Sequence, residues 1–151
     1  MKKPYIRITK IFKFETAHSL TGYDGLCKNI HGHSYELHVT VAGFPIEDNK
    51  HPKRGMVMDF GDLKKIVKKA VVLPMDHALV LRNDAPGSLV KELKNLYEKI
   101  ILVDYQPTSE LMLADFVEKI KAKLPDNVIL KHMLLRETAT SYAEWFAEEN
   151  N

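Results

Sequence analysis

The chain has 151 residues and a mass of 17.3 kDa, the size of one domain (1–151) with one core. Hydrophobic residues make up 45% and charged residues 28%, which excludes a disordered, collagen-like or fibrous chain. Lys plus Arg is 22 against 20 for Asp plus Glu, a net +2, and the basic residues are dispersed, so nothing forces a nucleic-acid partner.

The single cysteine, Cys27, cannot form an intramolecular disulfide, so a stapled secreted scaffold is excluded. The opening MKKPYIRITK lacks a continuous apolar run, and no signal peptide is expected. No stretch approaches the roughly 18 apolar residues of a membrane span. The expected location is the cytoplasm, with no membrane partner.

From Tyr5 to Phe14 the chain is rich in Ile, Phe, Thr and Tyr, with Ile6, Ile8, Phe12 and Phe14 on one parity, which predicts a half-buried strand. TGYDGLCKN is loop chemistry. A second strand is predicted over Gly32 to Ala42, with His33, Tyr35, Leu37, Val39 and Val41 on one face and Ser34, Glu36, His38 and Thr40 on the other. GFPIEDNKHPKRG reads as a long turn and MVMDF as a short third strand.

Leu63, Ile66, Val67, Ala70 and Val71 form a helical stripe with Asp59 as N-cap, and Pro74 is expected to stop this helix. PMDHALVL reads as a junction. A second helix is predicted from Ser88, striped by Leu89, Leu93, Leu96, Tyr97 and Ile100. Thr108 or Ser109 caps a third, striped by Leu113, Phe116, Val117, Ile120 and Leu124. VILKHMLLRET and SYAEWF read as closing strands. The order ββ(β)α(α)αββ predicts an α+β domain with a mostly antiparallel sheet.

His18, His31 and His33 are the sharpest chemical signal. His31 and His33 are two apart and share the parity of Tyr35, while His18 shares that of Phe12 and Phe14. An antiparallel pair closed by TGYDGLCKN would gather the three rings at one end of the sheet. Three neutral imidazoles with an open fourth position suit Zn²⁺, at Zn–N of about 2.0–2.1 Å. Separate surface or core histidines are the plainer alternative.

Cys27 is either a fourth, structural zinc ligand or a reactive thiol whose thiolate a nearby cation favours. Asp76 and His77 form a second candidate, a histidine able to move protons beside a carboxylate that can orient it; a cap and a surface histidine are the alternative. Glu137 closes an apolar strand on the parity of Met133 and Leu135, where it either faces a pocket or ends an exposed strand. His38, His51 and His132 fall outside the metal candidate by parity or position.

FKFETAH, CKNIHGHSYEL, GMVMDFGDLK, PMDHALV, PTSE and LLRET occur in the order found in the 6-pyruvoyltetrahydropterin synthase / 6-carboxytetrahydropterin synthase family, and residues 5 to 146 resemble it. The resemblance implies His18, His31 and His33 as zinc ligands and Cys27 as catalytic thiol. It further implies Asp76 and His77 as proton-transfer partners, Glu137 as anchor of the pterin ring, and Thr108 and Ser109 near the pterin. It implies the tunnelling fold, a four-stranded antiparallel sheet backed by helices, assembled as a hexamer of two stacked trimers. The chain looks longer than compact bacterial members, with the surplus in GSLVKELKNLYEKIILVDYQ.

Three residues between Cys27 and His31 resemble the 6-carboxy branch, whereas the animal 6-pyruvoyl enzymes have a longer spacing. The first branch converts 7,8-dihydroneopterin triphosphate to 6-carboxy-5,6,7,8-tetrahydropterin, acetaldehyde and triphosphate, for queuosine and other 7-deazapurines. The second keeps the side chain and releases triphosphate alone. A zinc hydrolase and a noncatalytic zinc-stabilised module with Cys27 as fourth ligand are the readings from other classes.

Overall fold

The computed structural model describes residues 2–151. Two long strands, β1 (Ile6–His18) and β2 (His31–Gly43), form an antiparallel pair in which Phe12 faces Leu37 and Phe14 faces Tyr35. Their period-two alternation sends Phe12, Phe14, Tyr35, Leu37, Val39 and Val41 to one buried face, as the sequence pattern requires.

After β2 the chain turns through residues 44–59. MVMDF is not a strand, contrary to expectation; Met56 accepts from the Ile46 N–H at 2.9 Å, while Val57 and Met58 turn inward to the core. Helix α1 (Phe60–Val67) begins at Asp59, whose carboxylate accepts from the Gly61 N–H at 2.7 Å. It continues through a π-helical turn (Lys68–Val72) into a final turn, α2 (Leu73–Met75). Pro74 therefore does not stop the helix. The π turn shifts the bonding register, with the Leu73 N–H reaching the Lys68 carbonyl, and Pro74, which has no N–H to place, occupies the last turn.

The expected junction and the end of the expected second helix are strands. β3 (Ala78–Arg82) pairs parallel with β1, and β4 (Ile100–Val103) pairs parallel with β3. Between them α3 (Gly87–Leu96) stops at Tyr97, and none of its residues is buried. Helix α4 (Ser109–Lys121) is capped by the Thr108 hydroxyl, which accepts from the Leu111 N–H at 3.3 Å. Strand β5 (Ile129–Thr138) pairs antiparallel with β2, and β6 (Ser141–Phe146) pairs antiparallel with β5 to complete the sheet.

The sheet is thus six-stranded and mixed, in the order β4-β3-β1-β2-β5-β6, not four-stranded and antiparallel. The α+β class holds. Leu63, Val67 and Val71 of the first helix, and Met112, Phe116 and Ile120 of α4, pack on one face of the sheet. Phe14 stacks on Tyr35 with centroids 5.6 Å apart and meets the edge of Phe116 at 6.2 Å. A bulge in β5 lets Leu130 join Met133 and Leu135 in this core, although simple alternation groups Leu130 with His132. Among the described residues no helix is long and apolar enough to cross a membrane.

Candidate metal centre

Strand register gathers the three histidines. His18 and His31 are direct partners across β1 and β2, and His33 lies opposite Thr16 two residues further on. Their shared parity with Phe14 and Tyr35 continues the core face to the end of the sheet. Ring centroids are 4.5 Å apart for His18 and His31, 5.2 Å for His18 and His33, and 5.0 Å for His31 and His33. One ligating nitrogen from each lies within 4.8 Å of the others.

Two of the rings are oriented by main-chain carbonyls. His18 Nδ1 is 2.7 Å from the Pro107 carbonyl oxygen, and His31 Nδ1 is 2.7 Å from that of Asn29. A carbonyl only accepts, so each Nδ1 carries the hydrogen and each neutral ring keeps its lone pair on Nε2. Those two Nε2 atoms are 3.0 Å apart. Lone pairs at that separation repel unless a cation lies between them. A tetrahedral Zn²⁺ sets ligand nitrogens about 3.3 Å apart, so this donor set fits the ion, and the carbonyl partners are the outer support such ligands use.

Burial lowers the pKa values of His18 and His33 below the usual imidazole value, chiefly by desolvation, with Glu137 opposing the shift. At neutral pH these rings are therefore neutral, the state that binds metal. Glu137 Oε1 lies 3.4 Å from His33 Nε2, 3.6 Å from His18 Nε2 and 3.4 Å from the Tyr35 hydroxyl. Desolvation first, then the Glu137 charge, pushes the Tyr35 phenol far up, so it stays a neutral donor.

Cys27 sits half-buried in a single 3₁₀ turn (Leu26–Lys28) in the β1–β2 loop. The loop is pinned where the Leu20 N–H donates to the Cys27 carbonyl at 3.0 Å and the Ser19 hydroxyl donates to the Lys28 carbonyl at 2.8 Å. Among the described residues the metal-competent group contains the three histidines and no cysteine.

Asp76 and His77 form the turn between α2 and β3, with His77 Nδ1 3.0 Å from Asp76 Oδ1. Asp76 also accepts from the Glu15 N–H at 2.9 Å, and that bond is the main reason its carboxyl lies below the usual carboxylate range. The His77 side chain is 76% exposed and lines an open cleft of about 330 Å³ with Glu15, Gly32 and Ser34. It does not join the three-histidine group. Thr108 spends its hydroxyl on the α4 cap and Ser109 is buried beside it. Both directly follow Pro107, the partner of His18.

Residues that sequence reasoning missed include Asn29, Pro107 and Tyr35 around the rings. The first two act through carbonyls, which every residue has, so no side-chain pattern signals them. Gln106 is a third kind, tying the turn before α4 to the β1–β2 loop through Nε2, which donates to the Thr21 carbonyl at 2.9 Å. His38 and His132 pair with Glu36 at 2.7 Å and Glu144 at 3.0 Å, away from the metal group.

Residues 7–148 match the family model described as 6-pyruvoyl tetrahydropterin synthase. The chain is 37% identical over 141 residues to a 6-carboxy-5,6,7,8-tetrahydropterin synthase of Haemophilus influenzae, covering 92% of this chain and 97% of that one. In fold it is similar to the 6-pyruvoyl tetrahydropterin synthase of Caenorhabditis elegans, with TM-score 0.68, 23% identity and coverage of 97% and 99%. It is also similar to an uncharacterized protein of Wolinella succinogenes, with TM-score 0.76, 20% identity and coverage of 95% and 99%. Sequence and fold agree over nearly the whole chain, and the chain belongs to the 6-pyruvoyl tetrahydropterin synthase family.

Proposed function

We propose that this chain catalyses the zinc-dependent conversion of 7,8-dihydroneopterin 3'-triphosphate to 6-carboxy-5,6,7,8-tetrahydropterin, acetaldehyde and triphosphate, feeding queuosine and 7-deazapurine synthesis. The observation that carries the reading is the pair of Nε2 lone pairs 3.0 Å apart, with the Glu137 carboxylate beside them. The name of the Haemophilus influenzae relative and the short Cys27-to-His31 spacing favour the 6-carboxy product.

His18, His31 and His33 would hold Zn²⁺, which when bound stabilises negative charge developing on a substrate oxygen. Cys27, as thiolate, takes a proton from the neighbouring carbon, and His77, oriented by Asp76, returns one. Glu137 accepts hydrogen bonds from the N–H and amino groups of the pterin, with Thr108 and Ser109 close to the ring. The hexamer of two stacked trimers that the resemblance implies would let a neighbouring copy contribute to the site. The cluster offers no sulfur, which speaks against a purely structural four-ligand zinc module.

The test is anaerobic incubation of pure zinc-loaded protein with the triphosphate, followed by mass analysis of the pterin and an aldehyde assay. The expected result is 6-carboxytetrahydropterin with one acetaldehyde per turnover. A 6-pyruvoyl product without acetaldehyde would move the chain to the other branch, and no consumption of substrate would defeat both.

A further inference from the structure

Among the described residues His77 is the single non-glycine residue in the left-handed backbone region, at φ 62°. A side chain disfavours that region, so the surrounding structure must hold the residue there. The peptide unit joining Asp76 to His77 sets this angle, and it is pinned at both ends. Its N–H donates to the Glu15 carbonyl at 2.6 Å. Its carbonyl accepts from Lys99 Nζ at 2.7 Å, and the same ammonium donates to the Leu73 carbonyl at 2.8 Å.

Lys99 is well placed for this. It immediately precedes β4, and its own carbonyl accepts from the Leu79 N–H at 2.9 Å, so its main chain is held by β3 while its side chain reaches back to the turn. The two carbonyls it bridges are those of α2, at the negative end of the first helix, and of the turn residue itself. Relaxation of His77 to an ordinary conformation requires the Asp76–His77 peptide plane to flip, and a flip breaks the Lys99 and Glu15 bonds together. Only one of these comes from a side chain that substitution can remove.

We infer that Lys99 is a positioning residue that blocks this peptide flip and thereby fixes the direction of the Asp76–His77 pair, the role the α3–β4 segment supplies to the site. The functional meaning of this rests on the proton-transfer role proposed for Asp76 and His77; the structural part does not.

Amide hydrogen exchange at residue 77, read by NMR on the full chain, tests it without turnover. Lys99→Met should lower protection of that amide tenfold or more, and Lys99→Arg, which still donates to both carbonyls, should restore it. In the His77→Gly background Lys99→Met should have little effect, because glycine adopts the left-handed region unaided. Equal loss in both backgrounds would show a merely structural contact and overturn the inference. So would unchanged protection in Lys99→Met, or the same loss in Lys94→Met on the exposed face of α3. In turnover assays Lys99→Met should lower kcat with KM and zinc content unchanged. An inactive wild type with the exchange result intact would remove the pterin reading and leave the positioning role standing.

Discussion

His18 Nε2 and His31 Nε2 stand 3.0 Å apart with each ring's other nitrogen committed to a main-chain carbonyl. Neither ring can turn its hydrogen inward without abandoning Pro107 or Asn29, so both Nε2 lone pairs are held toward a point where three histidines could hold a metal ion. The main-chain carbonyls give these rings the outer support that metal-ligating histidines use.

One zinc per chain is the expected stoichiometry. The His31→Ala/His33→Ala double variant should retain less than about one-tenth of the metal after dialysis, because a single imidazole leaves no site. Elemental analysis beside protein quantitation measures this, and full retention would end the assignment.

Metal uptake should depend on pH with a definite sign. Burial lowers the folded pKa values of His18 and His33 below the unfolded 6.5, so protonation opposes both folding and binding. The metal-free fold therefore has the full contribution of these groups above about pH 6.5 and loses it as pH falls through their lower folded values. Zinc affinity should be nearly level from pH 8 to 7 and fall by about tenfold or more per unit in the acid range, where more than one ring must lose a proton. Competitive chelator titration across pH reads the slope; rising affinity toward acid would contradict it.

Cys27→Ala should keep its metal and lose turnover. In cobalt-substituted protein the wild type should show no intense sulfur-to-metal charge-transfer band, because the gathered ligand atoms are nitrogens. Such a band, lost in Cys27→Ala, would make the thiol a ligand. Normal turnover in the variant would remove it from proton transfer.

Glu137→Gln replaces one acceptor oxygen by a donor at nearly constant volume. It should weaken pterin binding by about tenfold to a hundredfold, the scale of losing a hydrogen bond to a charged group, with zinc content unchanged. Calorimetry with a nonreactive pterin tests this, and unchanged affinity would free Glu137 from recognition.

Phe116→Ala should destabilise the fold by about 3–5 kcal/mol, since the ring is fully buried and meets Phe14 edge to face. The midpoint of chemical denaturation should fall accordingly. A shift below about 1 kcal/mol would show that the core closes over the cavity.

Elements whose signal is local are legible along the chain. Alternation along β1 and β2 placed His18, His31 and His33 on one face because side-chain direction in a strand has period two. The stripes of the first helix and α4, with Asp59 and Thr108 at their starts, follow from the 3.6-residue period and from capping chemistry. Glu137 was legible for the same reason, two residues beyond Leu135, past the bulge that upset the parity of Leu130.

The remaining features depend on segments far apart in the chain. ALVLR and IILV are too short for periodicity to separate strand from helix; ALVLR became β3 on the free edge of β1, and IILV became β4 on the edge of β3. MVMDF has strand composition, but no neighbouring strand takes it up. The orienting groups at Pro107 and Asn29 are carbonyls, common to every residue, and distance along the chain hides them: Pro107 is 89 residues from His18. The left-handed turn at His77 likewise depends on Glu15 and Lys99, which fold back from β1 and β4 to hold one peptide unit between them. Local periodicity tells a side chain which face to join; which main-chain group waits there is set only when distant segments pack.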